Sequence, residues 1–187
     1  MAFVALYDAC VLHPEPLRSL LVQLAQTKLF RARWTEDIHQ EWMRSVTRLR
    51  PHVGPDKLRR VADLMNLAVE DCLVDGHGPL ASMLTLPDPD DRHVLAAAIV
   101  GRADVIVTSN LRHFPKTILE PLRIEAQHPD VFIRHVLDLD IQAVTAVRLV
   151  RARMRNPAME PAEYLDMLLR QGLPDTVAFL REIVGAL

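Results

Sequence analysis

Cysteine is nearly absent: Cys10 and Cys72 are the only two, and no CxxC pair exists. That excludes a disulfide framework and fits a reduced, cytoplasmic setting. The eight histidines fall into no HxxH or HExxH spacing, so no helical zinc motif is present. Lysine is scarce, with Lys28, Lys57 and Lys116 alone, and arginine supplies the other cations. A guanidinium binds phosphate as a two-toothed fork, which is compatible with nucleic-acid contact, although GC-rich coding is the simpler source of the bias. The net charge of −2 excludes a globally basic nucleic-acid binder but leaves room for a local basic groove. No apolar run approaches membrane-spanning length. The opening Met1–Tyr7 stretch is apolar, but it lacks a basic leader and Asp8 interrupts it, so a signal peptide is not expected. Repeats and low-complexity segments are missing too.

What remains is an ordinary folding composition. The chain has 187 residues, 50% hydrophobic and 25% charged, enough for one core or one core with a small appendage. Phe3–Tyr7 predicts a buried strand ending at Asp8. A helix is expected over about 17–27 behind Pro14 and Pro16. A second follows Thr35, a good N-cap, with Glu36 and Asp37 in its first turn and Glu41 along its length, and it ends before Pro51. A third spans about 56–71. Residues 72–87 read as a short strand, a loop and a helical turn. A helix over 91–102 and a strand over 105–108 come next, then a helical turn and an edge strand over 115–124. Apolar strands alternating with amphipathic helices predict an α/β fold with a parallel sheet. Beyond Ala126 the pattern is helical only, at about 130–138, 140–155, 161–171 and 175–186. The expected organisation is an α/β domain at 1–126 and a helical extension at 127–187.

Chemistry concentrates in residues 88–114. Asp88, Asp90 and Asp91 open an apolar helix, and the strand after it ends in Thr108, Ser109 and Asn110. In βα folds strand ends and helix N-termini meet at one rim. Carboxylates crowded there repel one another and call for a cation. Asp8, in an otherwise apolar strand, joins them at a cost that function would explain, since burying an unpaired carboxylate is expensive. Each of the others has a plainer reading. Glu41 suits a solvated helix face, and Asn110 suits a turn. The three aspartates suit the positive end of a helix, with Asp90 the expected bystander. Hard cations such as Mg²⁺ take such oxygen ligands, and a metal held this way activates water against a phosphodiester.

The order of these residues resembles PIN-domain nucleases of the VapC toxin type. The resemblance rests on the strand ending in Asp8, on Glu41 in the second long helix, on Asp91-x-x-Val-Leu-Ala-Ala-Ala, and on Val105-Ile-Val-Thr-Ser-Asn110-Leu-Arg-His-Phe114. It covers about residues 1–124. It implies a three-layer α/β/α sandwich and Mg²⁺- or Mn²⁺-dependent endoribonuclease activity. It also implies a small VapB-like antitoxin as partner, with a homodimer left open. By position, Asp8, Glu41 and Asp91 match the acidic triad, Asp88 an additional acid, and Asn110 a fourth site position where an Asp is common. The metal set it implies is Asp8, Asp91, Glu41 and Asp88. Asn110 contributes no charge, and His113 stands where another acid is often found. Both substitutions favour, as the alternative, a weak or inactive relative that binds nucleic acid or protein without cutting.

Other readings compete. A phosphatase with Asp8 as nucleophile asks for a second Asp two residues on, where this chain has Cys10. RNA rather than DNA rests on the resemblance alone. His93 and His113 read as surface or structural residues. Arg92 and Arg112 suit either the RNA backbone or a neighbouring carboxylate. Arg148, Arg151 and Arg155 share a helix face, by default a solvated one. Met43, Met65, Met154, Met159 and Met167 read as core filler.

Overall fold

The computed structural model describes residues 2–154 and 158–183. Among them runs a parallel sheet in the order β2-β1-β3-β4. Its strands are β1 (Val4–Tyr7), β2 (Arg31–Arg33), β3 (Val105–Val107) and β4 (Glu125–Gln127). β1 and β3 are central and almost wholly apolar, as strands covered on both faces must be. β2 is not evident from Arg31-Ala32-Arg33. Only Ala32, paired with Ala5, is buried there. β4 starts just after Ile124, later than its hydrophobicity suggests.

Helices α1 (Ala9–Leu12) and α2 (Glu15–Ala25) carry the chain from β1 to β2. Helices α3 (Glu36–Leu49), α4 (Pro55–Ala68), α5 (Gly78–Ala81) and α6 (Arg92–Val100) carry it back past β1 to β3. The short α7 (Lys116–Leu119) leads to β4. The two long crossovers run in opposite directions, so right-handed connections place α2 on one face and α6 on the other. The result is the expected α/β/α sandwich. Tyr7 marks the α2 face, where its hydroxyl donates to the Leu21 carbonyl at 3.1 Å.

Local chemistry sets the helix ends. The Thr35 hydroxyl accepts the Ile38 N–H at 3.1 Å, the expected cap of α3, typically worth about 1 kcal/mol. α6 begins one residue later than expected because Pro89–Asp91 form a separate 3-10 turn. Leu95 to Ala98 are fully buried, and the three alanines let the helix lie close to its neighbours. Gly101 ends it where a Cβ would meet the Ala97 carbonyl and a Val74 methyl, both at 2.9 Å.

The C-terminal helices are α8 (Pro129–Leu139), α9 (Ile141–Arg153), α10 (Pro161–Arg170) and α11 (Pro174–Glu182). They join the core of the sandwich. Phe132 of α8 stands edge-on to Phe30, with centroids 5.1 Å apart, and also meets Phe3 and Tyr7. α9 lies along α2, where Arg153 donates to Gln23 Oε1 at 2.7 Å. Buried Asp130 accepts the N–H groups of Asp175 and Thr176 at 2.9 and 2.8 Å, tying α8 to the start of α11. Met65 is buried, and Met43, Met154, Met159 and Met167 pack against the core. Arg151 holds the Met159 carbonyl at 2.9 Å, so it is no bare member of an arginine face. Arg155, Pro157 and the expected end of the last helix lie outside the described residues. Among the described residues no helix is long and apolar enough to cross a membrane.

Candidate metal centre at the carboxyl rim

Parallel pairing of Tyr7 with Val107 makes Asp8 and Thr108 neighbours at the carboxyl ends of β1 and β3. The ladder continues one step past the strands: Asp8 N–H donates to the Val107 carbonyl at 3.1 Å, and Thr108 N–H to the Gln127 carbonyl at 2.9 Å. Strand order reverses between β1 and β3, and open parallel sheets bind ligands at such a switch point.

Asp8 is 1% exposed. Its Oδ2 accepts the Thr108 hydroxyl at 2.6 Å and the Cys10 thiol at 3.0 Å. Its Oδ1 receives no hydrogen bond among the described residues. Thr108 is itself oriented by the Asn110 N–H, 3.0 Å from its hydroxyl oxygen. Burial, followed by the charge and hydrogen bond of Asp8, pushes the Cys10 thiol up to about 12. Cys10 therefore stays a protonated donor to Asp8 rather than a thiolate nucleophile.

Asp91 enters from the N-terminal end of α6, 7% exposed. Its Oδ2 lies 2.6 Å from His113 Nδ1, and Asp88 Oδ2 lies 3.5 Å from the same nitrogen. Ligand atoms of Asp88, Asp91 and His113 all fall within 4.8 Å of one another. Arg112 Nε, which can only donate, sits 3.1 Å from His113 Nε2. His113 Nδ1 therefore carries the proton in this arrangement and donates it to Asp91. Burial raises the Asp91 pKa, the hydrogen bond from His113 opposes it, and the charges of Asp8 and Asp88 add to the rise. Asp88 Oδ1 caps the 3-10 turn by accepting the Asp90 N–H at 3.0 Å, while Asp90 itself is exposed.

Glu41 reaches the rim from α3. Its Oε2 lies 3.1 Å from His93 Nε2, two residues after Asp91. Burial lowers the His93 pKa, but the hydrogen bond and charge of Glu41, with Asp37 and Asp8 behind, carry it above its ordinary value. Asn110 is half-buried, and its side chain makes no hydrogen bond among the described residues.

The structure thus gathers Asp88, Asp91 and His113 directly, sets Asp8 close enough for its charge to act on Asp91, links Glu41 to His93, and ties Asn110 to the rim through its backbone N–H. His93 and His113, which the sequence places near the site but reads as surface or structural residues, instead hold Glu41 and Asp91. The spacing Asp91-x-His93 and the place of His113 soon after the β3 end were the available clues. The donor set fits a hard divalent cation: carboxylate oxygens predominate, and Asp8 Oδ1 has no donor among the described residues.

Fold and rim define an α/β protein with a cluster of acidic side chains at its switch point that could hold a cation. The chain belongs to the PIN-domain family, whose pattern matches residues 5–112. Residues 129–182 match a second family, described as the VapC50 C-terminal domain. A Mycobacterium tuberculosis protein described as "Putative ribonuclease VapC50" is 47% identical over 95 residues, covering 50% of this chain and 55% of that protein. The match thus spans about half the length of that relative. No solved structure matches the chain significantly.

Proposed function

We propose that this chain is a divalent-metal-dependent endoribonuclease that hydrolyses RNA phosphodiester bonds as the toxin of a toxin–antitoxin pair. The observation that carries the reading is Asp8: a buried carboxylate, one oxygen without a donor among the described residues, whose charge acts on Asp91 at the switch point of a PIN-domain sheet. The relative's printed name supports ribonuclease activity.

Asp8, Asp91, Asp88 and Glu41 would hold Mg²⁺ or Mn²⁺. When bound, such a cation neutralises phosphate oxygens and acidifies a water at neutral pH. Thr108 and Cys10 fix the Asp8 carboxylate by donating to Oδ2, which directs Oδ1 to the site. His113 shields Asp91 from its acidic neighbours by donating from Nδ1. The raised His93 pKa favours holding a proton at Nε2 against Glu41, a place from which a proton can pass to a leaving oxygen. Asn110 offers an amide to orient water or phosphate. A small VapB-like protein is the proposed inhibitor, the cytoplasm the proposed place of action, and a homodimer one assembly to test. We read residues 1–126 as the nuclease domain and 127–187 as an extension packed on it.

A second reading follows from His113. It already satisfies Asp91, and with Asn110 it removes negative charge from the rim, which favours a protein that binds RNA or a partner without cutting. Incubation with an RNA pool and Mn²⁺, followed by mapping of the cut ends, separates the two. Cleavage lost in Asp91→Asn supports the nuclease. An uncut pool, with a small protein still co-purifying, supports the binder.

A further inference from the structure

We propose that Arg44 and Arg48 of α3 form a phosphate track that leads the RNA strand away from the rim. The inference rests on the nuclease reading above and deepens it. Helical geometry places Arg44 and Arg48 about 60° and 20° round α3 from Glu41, and about 4.5 and 10.5 Å along its axis. Both therefore continue the stripe on which Glu41 approaches the site. Both are exposed, and among the described residues neither makes an ion pair or side-chain hydrogen bond.

The one carboxylate at pairing distance on the helix, Glu41 three residues before Arg44, turns to His93 instead and leaves the arginines unanswered. The two arginines are an i, i+4 pair of like charge, which destabilises a helix, and no carboxylate follows on α3. Arg48 lies in the last turn and suits the helix dipole, but Arg44 has no such explanation. Arg44 and Arg48, with Gln40 and Thr47, form one wall of a groove of about 630 Å³ between α3 and α4. Across it Arg59 is already paired with Glu36 and Asp63, and the only lining carboxylate is Asp56, in the first turn of α4. From Met43 to Arg60 the chain carries six cationic side chains against Asp56 alone. A polyanion leaving the rim along α3 would supply the missing charge at successive turns, with arginine side chains about 5–6 Å apart at Cβ.

The test uses the full chain and a mixed-sequence RNA oligonucleotide. Binding is read in the cleavage-silent Asp8→Asn background between about 50 and 200 mM salt. Arg44→Gln with Arg48→Gln is expected to weaken binding on the order of tenfold at the low end. It should flatten the slope of log affinity against log salt by about 1.4, some 0.7 per lost phosphate contact on a single strand. Thermal stability should hold or rise, because a repulsive pair is removed. With Asp8 restored, KM for RNA should rise while kcat holds. Arg102→Gln with Arg123→Gln, exposed at the opposite rim just before β3 and β4, serves as the control and should change neither slope nor KM. An unchanged slope overturns the track. So does a fall in thermal stability with the slope kept, or equal competition by polyglutamate, which would mark a protein partner. If the native chain cuts no RNA while the slope still falls, the nuclease reading fails and the track stands.

Discussion

Asp8 and Asp130 are both buried, 1% and 4% exposed, yet they are built for different ends. Asp130 gives one oxygen to each of two backbone N–H groups at the start of α11, so its charge is answered by the fold. Among the described residues Asp8 is answered on Oδ2 alone, and the charge it meets across the rim is that of another carboxylate, Asp91. Burial by itself therefore does not distinguish a working carboxylate from a structural one. The difference lies in the donors: Asp130 has both oxygens filled by the chain, whereas Asp8 keeps one that the proposed ion would fill.

Exchanging the two roles gives the largest expected effect. Asp8→Asn should lower RNA cleavage at least about 100-fold, since even outer-shell partners of a metal are worth about 10–100-fold. Its melting temperature in the absence of metal should stay close to that of the parent chain. Asp130→Ala should do the reverse. Orphaning two N–H groups at the start of α11, that of Thr176 buried, costs roughly 2–4 kcal/mol, a melting shift of about 5–15 °C at this chain length. Cleavage below its melting point should persist. A cleavage loss in Asp130→Ala while it remains folded would break the comparison.

Metal addition sharpens it further. At a Mn²⁺ concentration near 100 times its dissociation constant, the native chain should gain about 2.7 kcal/mol of stability, seen as a higher melting temperature. Asp130→Ala should gain as much, and Asp91→Asn much less. The smallest effect is one of pH. Burial raises the Asp91 pKa, so the folded chain binds that proton more tightly than the unfolded chain does. Its contribution to stability is present below the ordinary carboxylate range and is lost as pH rises through the raised value. In metal-free buffer Asp91→Asn should match the native chain at low pH and melt slightly higher near neutrality. An equal difference at both pH values would refute the assignment.

Much of this was legible before any coordinates. Asp8 stood out because a carboxylate closing an apolar strand has few inexpensive explanations, and Thr35 because its hydroxyl precedes an acidic first turn. Short apolar runs give β1 and β3, and apolar residues at helical spacing give the major helices. β2 escaped because one buried alanine between two arginines carries no hydrophobic signal, and its pairing with β1 alone makes it a strand. α1 escaped because a single turn has no period to detect. His93 and His113 escaped for another reason. Their partners are 52 and 22 residues away, and only the docking of α3 on α6, and of the turn after β3, brings them into contact.

The hydrogen bonds from Asp8 N–H to Val107 and from Thr108 N–H to Gln127 extend the central ladder into the rim itself. Those two amides should therefore exchange with deuterium only when the whole sandwich opens, at the protection of the slowest core strands.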